Sequence, residues 1–90
     1  MAAYVVTYDL NKPGQNYTRL IAELERLGSC HAQKSMWLVQ VNQTALQLRD
    51  ALDSYIDPND GLWVSQIFKG TWANYNMPAA TRWLIARGLL

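Results

Sequence analysis

The period of the apolar residues switches back and forth along this chain, and the order of those switches limits the fold more than any other feature. Tyr4-Val5-Val6-Thr7-Tyr8-Asp9-Leu10 is β-branched and aromatic and reads as a strand. Asn11-Lys12-Pro13-Gly14-Gln15-Asn16 is the loop after it, with Pro-Gly as punctuation and Asn16 as a helix N-cap. Leu20, Ile21, Leu24 and Leu27 then recur at helical spacing, with Arg19, Glu23, Glu25 and Arg26 on the wet side. Gly28 stands where a left-handed residue ends a helix. Met36-Trp37-Leu38-Val39-Gln40-Val41 is a second strand pattern. The residues before it fit two arrangements: a short strand over 30–33 with Lys34 and Ser35 at a tight turn or bulge, or one long bent strand.

Thr44-Ala45-Leu46-Gln47 fits a capping box, and Ala45, Leu48, Leu52, Tyr55 and Ile56 form a helical stripe behind it. Asp57-Pro58-Asn59-Asp60-Gly61 is a stop and turn, and residues 62–68 read as the next strand. After Lys69-Gly70 the chain is aromatic and polar, and Pro78 opens a last helix that runs to about Arg87, with Ala80, Trp83 and Leu84 on one side. Parallel crossovers are right-handed in nearly all cases, so two interleaved strand–helix–strand units place the first and third strands in the middle of the sheet. The fold class is α+β: a ferredoxin-like βαββαβ with a four-stranded antiparallel sheet, two helices on one face and an extra C-terminal helix. Residues 1–90 make one domain. The other face of the sheet has two candidate covers, the C-terminal segment or a second subunit. Four Trp and five Tyr exceed what one small core needs, and the surplus points to a homodimer.

Composition excludes several classes. One Cys, Cys30, forms no internal disulfide, and with the lone His31 it falls short of a structural zinc site. No stretch approaches the roughly 18 apolar residues of a membrane span. The N-terminus shows neither a basic segment nor an export signal's apolar core, so the expectation is a cytoplasmic protein. A net charge of +1 is not the footprint of a typical nucleic-acid binder, although the basic residues can still cluster on one face.

Asp9 is the first candidate for chemistry. It ends the first, central strand on the face of Val5 and Thr7. Two copies of Asp9 across a two-fold axis would supply the two carboxylates that a Mg²⁺ takes alongside phosphate oxygens and water. The other reading is an Asx turn in which Asp9 accepts from the amides of the 11–14 loop. His31 and Cys30 are adjacent on a strand and so point to opposite faces, which does not suit a nucleophile pair. Asp53, Asp57 and Asp60 lack calcium-loop spacing and read as turn formers. Lys12, Arg19, Lys34, Lys69, Arg82 and Arg87 are the candidate phosphate contacts. Lys12 and Arg19 flank the first helix's start, where amides and dipole favour an anion. Trp72 and Tyr75, near Lys69, either stack bases or pack the last helix on the sheet.

Tyr8-Asp9-Leu10, the helix closing on Leu27-Gly28, and Ala32-Gln33-Lys34-Ser35-Met36-Trp37 together resemble the small CRISPR-associated Cas2 proteins. The VapD toxins share that fold. The closer likeness is to an offshoot labelled SinR-like, through Tyr8 to Gly14, Ser35 to Val39, and Asp57 to Asp60, whereas the Cas2 likeness rests on two short motifs. The resemblance covers residues 4–75 and implies a ferredoxin-like homodimer. It implies a metal-dependent phosphodiesterase role for Asp9, facing its copy across the dimer, and places Ser35 near the same site. Other Cas2 relatives act as scaffolds that bridge integrase subunits on DNA. The chain departs from the pattern in its loop, where Lys12 is the one cation between Asn11 and Asn16, and in its aromatic, helical tail.

The leading functional expectation is a Cas2-like nuclease using Mg²⁺ or Mn²⁺, acting on RNA before DNA. Asp9 is its catalytic and metal residue, and Lys12, Arg19, Lys34 and Ser35 bind nucleic acid. The alternative is a non-catalytic dimeric module of a toxin–antitoxin or phage-defence system, with a protein partner or a nucleic acid held through the aromatic C-terminal segment.

Overall fold

The computed structural model describes residues 1–10 and 17–90. Its elements are β1 (Ala2–Asp9), α1 (Thr18–Arg26), β2 (Cys30–Gln33), β3 (Met36–Val41), α2 (Ala45–Asp53), β4 (Gly61–Ile67) and α3 (Pro78–Ala86). The strands form one antiparallel sheet in the order β2-β3-β1-β4. This is the ferredoxin-like arrangement, with the first and third strands central and a helix added at the C-terminal end. Asn16 and the rest of the expected 11–16 loop lie outside the described residues.

Local chemistry explains where the helices start and stop. Thr44 and Gln47 close the capping box of α2: Thr44 Oγ1 accepts from the Gln47 amide at 3.1 Å, and Gln47 Oε1 accepts from the Thr44 amide at 2.9 Å. Tyr17, just before α1, is buried, and its hydroxyl donates to Asp60 Oδ1 at 3.0 Å, tying the start of α1 to the turn before β4. Past α1, Gly28 has φ +72, which costs a glycine little. Residues 30–41 form two strands, and both candidate irregularities occur: a turn at Lys34 and Ser35, and a register shift between His31 and Gln33.

Strand alternation divides the sheet into two apolar faces. Tyr4, Val6, Trp37 and Val39 pack with Leu20 and Leu24 of α1 and with Leu48 and Leu52 of α2. On the opposite face Ala3, Leu38 and Ile67 pack with Ala80 and Leu84 of α3. Each fully buried leucine contributes roughly 1.5–3 kcal/mol relative to exposure. Of the two candidate covers for the second face, the C-terminal segment occupies this part of it. Trp72 seals the seam by donating its indole N–H to the Leu89 carbonyl. Arg87 lies over the Trp83 ring, 3.7 Å from its centroid, and donates to the Trp83 carbonyl at 3.1 Å. Trp72 and Arg87 therefore hold the tail together. Beyond α3 the second face continues to a corner where Thr7 pairs with Trp63 and Asp9 with Gly61.

Candidate functional site

That corner is built by the sheet register. Asp9 is the last residue of β1, and its side chain is exposed. Its neighbour on β4 is Gly61, where an added Cβ would come 3.8 Å from the Asp9 Cβ. With no side chain at Gly61, a shallow groove of about 340 Å³ opens beside the carboxylate, bounded by Thr7, Asp9, Gly61 and Trp63. Among the described residues the ion pairs are Glu23–Arg26 and Arg49–Asp50, and Asp9 takes part in neither.

On the other side of β1, hydrogen bonds fasten the β2–β3 turn to the same end of the sheet. The Tyr8 amide donates to the Ser35 carbonyl at 3.1 Å. The Trp37 indole N–H donates to the Tyr8 hydroxyl at 3.0 Å, and that hydroxyl donates to the Lys34 carbonyl at a longer 3.4 Å. His31 Nε2 meets the same carbonyl at 3.2 Å. A carbonyl only accepts, so this nitrogen carries the proton. The His31 ring also stacks on Trp37, with centroids 4.0 Å apart and planes 8° from parallel. Lys34 and Ser35 are thus brought to the Asp9 end of the sheet with both side chains exposed.

The remaining candidates distribute differently. Arg19 sits on α1 with its guanidinium 5.4 Å from the centre of the Tyr55 ring, a contact within the helical layer. Lys12, and the Asx turn between Asp9 and the 11–14 loop, lie outside the described residues. His31 stacks on Trp37 on the helix-bearing face while Cys30 packs on the other, so the two do not pair. Burial pushes the Cys30 thiol above its ordinary pKa, against the opposing pull of the Arg87 charge. Asp60 serves the turn, accepting from Tyr17 and from the Asp57 amide.

Two residues escape a reading of the sequence. Trp63 is 67% exposed on β4, although it stands in a run that resembles a core strand. Its parity with Ser65 and Gly61 was the available signal. Arg49 of α2 borders a second groove, of about 360 Å³, between α2 and the β4 edge, which is lined also by Ala45, Leu46, Leu62 and Val64. No sequence signal brings Arg49 there, because the docking of α2 beside β4 is a tertiary event.

The donor set bears on metal binding. Among the described residues no group of three or more His, Cys, Asp and Glu is gathered for an ion. One exposed carboxylate does fit a hydrated Mg²⁺, which takes one or two carboxylates and fills its other positions with water and phosphate oxygens. Among the described residues, no helix is long and apolar enough to cross a membrane.

Residues 1–75 match the sequence model of a family described as CRISPR associated protein Cas2. The matched span contains the whole four-stranded sheet with α1 and α2, and it ends before α3. No solved structure matches the chain.

Proposed function

The chain belongs to the CRISPR-associated Cas2 family, and from that premise we propose that it is a divalent-metal-dependent nuclease that cleaves RNA in preference to DNA as a homodimer. The observation that carries the proposal is the exposed Asp9 carboxylate at the end of a central strand, with the Lys34–Ser35 turn hydrogen-bonded to the preceding residue. Asp9 of each copy would hold Mg²⁺ or Mn²⁺, which when bound lowers the pKa of water and so supplies a nucleophile for the phosphodiester. The chain's own part is to position. Tyr8 and Trp37 fix the backbone of the turn at the Asp9 end of the sheet, and from there the exposed Lys34 ammonium and Ser35 hydroxyl can meet a phosphate. The homodimer supplies the second carboxylate, and the exposed Phe68, Ile85 and Leu90 support an apolar interface in the C-terminal part. The motifs at residues 8–14, 35–39 and 57–60 support placing the chain in the SinR-like branch.

Asp9→Asn tests the reading, because it keeps the shape and removes the charge. Metal-dependent cleavage of an RNA oligonucleotide is expected to disappear, with circular dichroism and light scattering unchanged. Lys34→Ala is expected to weaken RNA binding and flatten its salt dependence by about one phosphate's worth. Undiminished cleavage by purified Asp9→Asn protein would overturn the assignment. A native chain that binds nucleic acid or protein without cleaving, and does so equally well as Asp9→Asn, would establish a binding module instead.

A further inference from the structure

We propose that the cleft between α3 and the second face of the sheet is a binding site for a small, neutral heteroaromatic molecule, similar in size to a purine base. The site goes beyond the nuclease reading and uses none of the residues assigned to cleavage. The cleft holds about 360 Å³, at the small end of the range for ligand sites. Its innermost residues are Leu38 of β3 and Ala80 and Leu84 of α3, all buried. Met36 and Met77 are half-buried beside them, and Gln33 and Asn74 stand exposed at the mouth. Met77 and α3 lie beyond the span that matches the family model.

The outer wall of the cleft is fixed to both ends of α3. Trp72 donates its indole N–H to the Leu89 carbonyl, just past the helix, and the Thr81 hydroxyl in its first turn donates to Asn74 Oδ1 at 3.2 Å. The wall is therefore preformed, and closing the cleft by collapse would break these bonds. The lining selects the ligand's chemistry. Among the described residues no lining side chain is charged at neutral pH, so an ion buried there would go uncompensated. The sulfurs of Met36 and Met77 and the ring of Trp72 suit an aromatic ring better than an alkyl chain. The polar groups are carboxamides. Gln33 can donate and accept, and Asn74, with Oδ1 taken by Thr81, keeps Nδ2 as a donor. A ring whose edge carries hydrogen-bond acceptors matches a mouth of this kind.

The test is an NMR titration of the full-length chain carrying isotopically labelled methionine methyl groups, because Met36 and Met77 report from inside the cleft. The probes are adenine, indole and benzoate. Adenine has acceptors on its edge, indole has none, and benzoate is an anion. Adenine is expected to shift both methyl signals saturably, with a Kd on the order of 0.1–1 mM, and benzoate to bind at least about tenfold more weakly. Asn74→Ala should weaken adenine about fivefold to tenfold and leave indole within about twofold. Ala80→Leu, which fills the innermost part of the cleft, should abolish binding of both; if that variant does not fold, the exposed Asn74→Ala decides. Asp9→Asn should bind adenine as the native chain does, so failure of the nuclease reading is seen separately. The inference is overturned by the absence of a saturable shift with adenine, by benzoate binding as well as adenine, or by an Asn74→Ala chain that treats adenine and indole alike. Undiminished binding by folded Ala80→Leu protein also overturns it. So do methyl shifts that follow protein concentration without any ligand, which would give the cleft to a second copy.

Discussion

Trp37 shows how one residue serves both core and site. It is buried beneath the helices, and its single polar atom reaches the Tyr8 hydroxyl, which holds the Lys34 carbonyl. Trp37→Phe keeps most of the apolar volume and removes that donor. The expected loss is about 1 kcal/mol from the hydrogen bond, with a further contribution from the smaller ring, read as a lower urea midpoint at unchanged slope. Cys30 offers a pH readout. Burial raises its pKa, so less thiolate is present at neutral pH than for a free cysteine. Alkylation by iodoacetamide is expected to be slow at neutral pH and still rising beyond pH 9.0, the ordinary value. A rate that levels off below that value would contradict the burial. Asp9 itself was legible from the sequence, because alternation along β1 gives both its face and its place at the strand's end. Trp63 was less so: a tryptophan between Leu62 and Val64 has the composition of a core strand, and its parity with Gly61 and Ser65 gives its face, whereas only the register shows that its corner is uncovered.

At the scale of elements, α3 is held by few residues. Ala80 and Leu84 are its buried positions, whereas Ile85 on the same helix is 48% exposed. Leu84→Ala is expected to cost about 2–4 kcal/mol in urea unfolding, and Ile85→Ala well under 1 kcal/mol. Equal effects would mean that α3 does not dock as described. The helix itself was readable from Pro78 and from the spacing of Ala80, Trp83 and Leu84. Its docking partner was not, because an apolar stripe fits any apolar surface, including another subunit. The same limit left residues 29–41 open: a strand of four residues is too short for alternation to separate a hairpin from a bend. The capping box of α2, by contrast, is a local device, and Thr44 and Gln47 declared it without tertiary help.

For the whole molecule, charge sets the terms on which a polyanion can bind. A net charge of +1 gives little long-range attraction, so affinity must come from a few local contacts. If Lys34 of each copy is the principal phosphate contact, log affinity for single-stranded RNA should fall against log salt with a slope of about −1 to −2. A much steeper slope would point to cations beyond this corner. The proposed homodimer should scatter light at twice the 10.3 kDa of one chain, and a stable monomer at working concentrations would refute it. The family match spans the sheet and its first two helices, whereas α3 lies beyond it and occupies part of the second face. The area left for a second copy is reduced accordingly.

The position of β1 between β3 and β4 has a consequence for how the site fails. Asp9 sits on a strand paired along both edges, and its neighbour Tyr8 is tied to the β2–β3 turn by backbone and side chain alike. A carboxylate on a mobile loop can be lost by a local opening that leaves the rest of a protein intact. Here the strand separates from both neighbours only when the sheet itself comes apart. Loss of the corner and loss of the fold are then one cooperative event, with no range of temperature in which the body survives and its reactive end does not.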